Sequence, residues 1–223
     1  MKKEDEIVVV VPKSELFIFK KNYTNYFNGC INIKDSRGFY KIKDIMRSID
    51  ENYTEMRRGS VEETFTAISK NAELNTDYKQ PIPYVVIRKG EKFFVTQRLE
   101  GGGESRLHGK LSMGVGGHMN TMDNPKEAFK NVLTENIQRE LDEELYVEGN
   151  TDVSIIGLIN DDSNDVGQVH IGILGVINLE ENDKVSVRET EQLKGFWMSL
   201  DELREPENYS KLENWGKIVV DIM

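Results

Sequence analysis

Cysteine is almost missing: Cys30 stands alone in a chain of 223 residues. One thiol excludes an intramolecular disulfide framework and a cysteine-based zinc site. No histidine lies near it in sequence to activate it, so it reads as a packed or partly exposed structural residue. Long apolar runs are missing too. Residues 7–11, the β-branched run Ile-Val-Val-Val-Val, follow a charged start and end at Pro12. That is too short for a signal-peptide core or a membrane span, and the expected address is the cytoplasm. Positive charge is in deficit: 29 Lys and Arg against 39 Asp and Glu leave a net charge of −10. A general nucleic-acid-binding surface is therefore not expected, since it needs a basic patch to neutralise phosphates. An acidic enzyme for a phosphorylated small molecule stays open, because a bound divalent metal inverts the local field.

What is present is ordinary for a globular protein, 38% hydrophobic and 30% charged, and the length suits one large domain or a domain with an appendage. Residues 7–11 read as a buried strand, 15–19 as a strand or short helix, and 38–50 and 61–71 as weak helices. The polar, proline-bearing stretch 75–83 reads as a boundary. After it, residues 84–88 and 92–98 flank Lys89-Gly90-Glu91 as a hairpin. Residues 100–105 make a flexible loop, and 110–115 a strand running into Gly116-Gly117. Asp123 or Asn124, followed by Pro125, starts a helix. Its apolar stripe is Phe129, Val132, Leu133, Ile137, Leu141 and Leu145. Strands are expected at 152–159, 169–179 and 195–198, then a helical turn from Leu200 and a closing helix over 208–222. The acidic loop at 160–165 lacks the pattern of a calcium loop and reads as solvated.

The chemistry concentrates at the end of the striped helix, in Arg139-Glu140-Leu141-Asp142-Glu143-Glu144-Leu145. Glu140, Glu143 and Glu144 stand at i, i+3 and i+4 and share one face. Like charges so placed repel by roughly 0.2–0.5 kcal/mol per pair. They either sit in open water or hold a hard cation, for which oxygen ligands suit Mg²⁺ or Mn²⁺.

Gly117 with the run from Arg139 to Val147 resembles the Nudix box, whose pattern is Gly, five residues, Glu, seven residues, then Arg-Glu-apolar-X-Glu-Glu-X-Gly-apolar. The flanking hairpin, the Gly114-Val115-Gly116-Gly117-His118 turn and the Phe196-to-Leu203 segment follow the Nudix order across about residues 82–205. The layout is similar to the long, predicted-phosphoesterase branch of that family. The resemblance implies an α/β fold, an α/β/α sandwich with a mixed β-sheet over residues 81–223. Residues 1–80 would be an N-terminal α+β extension and a dimerisation element. It implies a Mg²⁺- or Mn²⁺-dependent hydrolase that cleaves the diphosphate linkage of a nucleoside diphosphate joined to another moiety. The metal would be held by the Gly116 carbonyl and by Glu140, Glu143 and Glu144. Glu140 or Glu143 would act as general base, with Glu189 and Glu191 as downstream candidates, and Arg139 would orient the carboxylates. Arg98, Gly117 and His118 would meet the substrate.

The chain departs from the box in three places. Asn131 stands where the family has its first Glu, and the Gly-to-Arg interval is about eight residues longer. Tyr146 replaces the last Gly. Glu135, one turn before Arg139, could supply the missing ion pair, and Gly149 could take the left-handed exit position. His170 reads as a satisfied core residue, and Trp197 and Phe196 as core. An alternative is a catalytically silent Nudix-fold protein that senses nucleotides or binds a partner. A Nudix-fold isomerase of isoprenyl diphosphates is disfavoured, since by the same resemblance it uses a cysteine and metal-binding histidines. Here there are one Cys and three scattered His. The apolar surface of residues 7–11 and 16–19 predicts a homodimer.

Overall fold

The computed structural model describes residues 2–60, 71–99, 108–121, 127–188 and 190–223. Residues 61–70 of the helix expected over 61–71, the loop over 100–105, the helix start at 123–125 and Glu189 lie outside the described residues. The chain is mixed α/β with a large mixed sheet. After a 3-10 turn at Lys3–Asp5 comes β1 (Ile7–Pro12), in which Val8, Val9, Val10 and Val11 are all buried. Unbroken β-branching of this kind marks a strand covered on both faces. A single turn, α1 (Lys13–Leu16), leads to the two-residue strands β2 (Phe19–Lys20) and β3 (Tyr23–Thr24), then β4 (Gly29–Asn32). Residues 15–19 thus divide between the end of a helical turn and the start of β2.

The long helix α2 (Ser36–Asn52) begins where the Asp35 carboxylate accepts from the Arg37 and Gly38 amides, and it buries Ile42, Ile45 and Ile49. β5 (Thr54–Arg57) follows. β6 (Tyr78–Lys89) and β7 (Lys92–Arg98) form the expected hairpin, turning at Gly90 with φ +58°. Residues 78–83 of the stretch read as a boundary are the first half of β6, with Lys79 and Gln80 buried, and the leading segment of the first compact unit ends within that stretch, at Pro83. Proline's fixed φ is compatible with an extended strand, so Pro81 and Pro83 do not end it. Next come β8 (Leu111–Ser112) and β9 (Gly114–Val115). Gly114 is required there, because a Cβ would lie 2.6 Å from the Tyr84 ring.

The helix α3 (Phe129–Glu144) passes directly into β10 (Leu145–Glu148). All six stripe residues are buried. β11 (Ser154–Asn160), the short helix α4 (Asp165–Val169), β12 (His170–Leu179), β13 (Lys184–Val187) and β14 (Leu193–Ser199) follow. A capping box between Ser199 and Glu202 opens α5 (Leu200–Arg204). The expected closing helix is two, α6 (Pro206–Lys211) and α7 (Asn214–Ile222), separated at Leu212 and Glu213.

The chain divides into two compact units. The first holds residues 1–83, 117–136 and 157–173. In it β1 pairs antiparallel with β5, Val8 opposite Met56, and with the start of β6, while β4 pairs with β11. Val8, Val10 and Ala72 form a core cluster against Met56 and Tyr78. The second holds residues 84–116, 137–156 and 174–223. There β7 pairs with β14 along seven residues and with β8, β9 pairs with β6, and β10 pairs with β13. Packing inside the first unit narrows the apolar surface expected at 7–11 and 16–19 to Ile7 and Phe19, which stay exposed. Val8 to Val11, Leu16 and Phe17 are buried within the protomer.

Candidate functional site

The end of α3 carries Arg139, Glu140, Glu143 and Glu144. Arg139 reaches both Glu140, at 2.9 Å, and Glu143, at 3.3 Å. Among the described residues Arg139 pairs with Glu140 and Glu143 rather than with the expected Glu135. The Glu140 side chain is 12% exposed and that of Glu143 60%. Glu140 is thus the inward member and Glu143 the wet one, with Glu144 half-buried between. Asp142 points to the other side and accepts from Gln138 at 3.1 Å. The three glutamates offer oxygen donors only. That donor set fits a hard divalent ion.

The helix exit differs from the expected one. β10 starts at once and pairs with β13, Tyr146 opposite Ser186, so no left-handed residue is needed. Arg188 closes the helix: its amide donates to the Glu144 carbonyl at 2.8 Å and its Nε to the Leu145 carbonyl at 3.2 Å. These are carbonyls that a helix end leaves without an intrahelical partner. Its guanidinium lies 3.8 Å from the centroid of the exposed Tyr146 ring. Gly149 does have positive φ, but after β10, where a Cβ would overlap the Asp183 carboxylate. Of the other expected residues, Gly116 directly follows β9. Arg98 ends β7, half exposed, and its Nε stands 4.0 Å from Glu213. Glu191 is exposed. Asn131 accepts no ion pair; its amide bonds Glu127.

His118 is held in a different set. The amide of Val9 donates to the Met119 carbonyl at 2.8 Å, which ties this segment to β1. His118 Nε2 lies 3.2 Å from Glu73 Oε1 and 3.3 Å from His170 Nε2. Glu73 is delivered by the segment after Asn71, whose side-chain oxygen accepts the Glu73 amide at 3.0 Å. That asparagine packs where Gly59, at φ +73°, has no Cβ to obstruct it. Arg58 Nε donates to the same Glu73 oxygen at 3.0 Å and its NH1 to Glu6 at 3.3 Å. Burial would raise the Glu73 pKa, yet His118 and Arg58 outweigh it and hold the carboxyl down to about 2. Burial and the neighbouring His118 push His170 down to about 4, so it is neutral at pH 7.

His170 owes its place to the acidic loop, which is only partly solvated, with Ser163 and Asp165 exposed. Asn160 and Asp161 are buried, and Asp161 binds the Ser163 and Asn164 side chains. Lys79, fully buried, reaches Asp162 at 2.6 Å and the Gly167 carbonyl at 2.5 Å. Asn164 caps α4, and His170 follows its last turn with Nδ1 2.7 Å from the Val166 carbonyl. The reading of His170 as a satisfied core residue holds for its burial but misses its neighbours. The two histidines, scattered in sequence, stand together. Glu73, His170, Arg58 and Arg188 escape sequence reasoning because nothing local marks them; 52 residues separate the two imidazoles.

No family model matches the chain. It is 44% identical over 225 residues to Protein YmaB of Bacillus subtilis (strain 168), covering 100% of both. Among solved structures, Tm1382, described as a candidate Nudix hydrolase, is 26% identical with a TM-score of 0.66, covering 97% of each chain. The MutT Nudix hydrolase from Burkholderia pseudomallei is 14% identical with a TM-score of 0.46, covering 64% of this chain and 96% of its own. The likeness to Tm1382 over 97% of each chain, together with the order of elements, places the chain: it belongs to the Nudix hydrolase family.

Proposed function

We propose that the protein is a pyrophosphohydrolase that cleaves the diphosphate linkage of a nucleoside diphosphate joined to another moiety. The observation that carries this reading is the acid face at the end of α3, with Arg139 bound to both Glu140 and Glu143. Glu140, Glu143 and Glu144, with the Gly116 carbonyl, would hold Mg²⁺ or Mn²⁺. Such an ion supplies charge neutralisation at the phosphoryl oxygens and a more acidic water. Arg139 is a positioning residue: it fixes the rotamers of two carboxylates that would otherwise repel. Glu140, more shielded, and Glu143, more open, are the two candidates for proton acceptor; geometry with substrate decides between them. Arg98 and Gly117 are the proposed substrate contacts. His118 is already engaged with Glu73 and His170.

The test is turnover of a panel of nucleoside diphosphate derivatives with Mg²⁺ or Mn²⁺, read as phosphate and nucleotide release. Glu143→Gln and Glu144→Gln should each cut kcat at least about 100-fold, the scale on which one preorganised charge contributes, while the circular dichroism spectrum stays that of the parent. Unchanged turnover in both variants would overturn the proposal. Nucleotide binding with no turnover on any substrate would favour the sensing protein instead.

We further propose a homodimer formed through the N-terminal region, taken as the extension over residues 1–80. Phe19, Tyr23, Ile33, Phe39 and Tyr40 all expose large apolar side chains there, Phe19 at 73% and Tyr40 at 65%. Phe39 and Tyr40, whose rings touch edge to face at 5.8 Å, would lie within the interaction surface.

A further inference from the structure

We propose that Glu73, His118 and His170 form a binding site for one first-row transition-metal ion of the zinc type, distinct in donor chemistry from the all-oxygen face of α3. The three ligand atoms lie within 4.8 Å of one another. Two of the separations are 3.2 and 3.3 Å, from His118 Nε2 to Glu73 Oε1 and to His170 Nε2. A tetrahedral zinc with bonds of about 2.0–2.1 Å sets its ligand atoms about 3.3 Å apart. These two edges therefore already have the length that a bound ion would impose.

The arrangement around the three atoms points the same way. The Val166 carbonyl, 2.7 Å from His170 Nδ1, can only accept, which puts the His170 proton on Nδ1 and leaves a lone pair on Nε2, facing His118. Histidine ligands commonly have their second nitrogen fixed by such a carbonyl, and ligating carboxylates are themselves hydrogen-bonded. Here Arg58 steadies Glu73, while Glu6 offsets the Arg58 charge. Without a cation, one imidazole proton on His118 Nε2 would have to serve two acceptors at once. Two imidazoles and one carboxylate suit zinc or iron(II) far better than Mg²⁺, which prefers oxygen and water. The set is sheltered but not sealed: the Glu73 and His118 side chains are 15% and 16% exposed. Three protein ligands leave a fourth position for water or a ligand atom.

Full-length protein stripped with chelator and titrated with Co²⁺, then with competing Zn²⁺, tests this directly. One equivalent should produce the visible absorption of four- or five-coordinate Co²⁺, and Zn²⁺ should bleach it. Glu143→Gln with Glu144→Gln should leave that signal in place. His118→Asn, close to isosteric, and His170→Ala should each weaken binding by more than the roughly 10–100-fold that loss of an outer partner costs. Glu73→Gln, which keeps shape, serves as a further check should His170→Ala fail to fold. No Co²⁺ signal, or one that His118→Asn and Glu73→Gln leave intact, would overturn the proposal and reduce the cluster to a hydrogen-bonded chain. Because the readout is binding, it is independent of the hydrolase reading above.

Discussion

At the scale of single residues, environment decides reactivity more than identity does. Cys30 sits in β4, partly buried, and desolvation pushes its thiol from an ordinary 9.0 up to about 12. At pH 8 that lowers the thiolate fraction about a thousandfold. The more basic thiolate is also the better nucleophile, by a Brønsted slope of roughly 0.4–0.5, which returns about 15–30-fold. Alkylation of Cys30 by iodoacetamide should therefore run about 30–60 times slower than that of a free thiol at pH 8, and speed up with pH to about 11. Rates equal to those of glutathione would refute the assigned burial. Tyr146 shows the same rule: in place of a glycine it needs no special backbone, because Arg188 holds the helix end and covers its ring.

At the scale of elements, one cation decides where a strand and a helix meet. Lys79 in β6 joins Asp162 to the Gly167 carbonyl of α4. Gly167 itself has no room for a Cβ against the Asp161 carbonyl. Removing one partner of a buried pair typically costs about 3–5 kcal/mol because the other charge is left stranded. Asp162 keeps 26% exposure and can turn to water, so Lys79→Met should lose about 3 kcal/mol, the low end, in urea unfolding. A loss below about 1 kcal/mol would mean the pair contributes only what exposed pairs do. Since α4 carries His170, the same variant should loosen the Glu73–His118–His170 cluster. The stripe of α3, by contrast, was readable residue by residue, because burial of one helix face follows from periodicity alone.

At the scale of the whole molecule, the exposed aromatics of residues 19–40 bear on assembly. Light scattering at micromolar concentration should give twice the chain mass of 25.6 kDa, and Phe19→Ser with Tyr40→Ser should return it to the monomer. A monomeric parent would refute the homodimer. Among the described residues no helix is long and apolar enough to cross a membrane. Much of the architecture was legible in the chain itself: the valine run as a buried strand, the hairpin at Gly90, the striped helix and the acid face at its end. Each depends on neighbours within a turn or two, where spacing dictates which side chains share a face. The burial of Lys79 was not legible, because its partners, Asp162 and the Gly167 carbonyl, lie far along the chain. So it is with the two histidines and Glu73. The amino-acid order alone determined that three glutamates would crowd one helix end, since a helix repeats every few residues whatever surrounds it. Only the tertiary structure decided that a carboxylate and two imidazoles from three separate segments would meet, because long-range packing, not local periodicity, brings them within ligand distance.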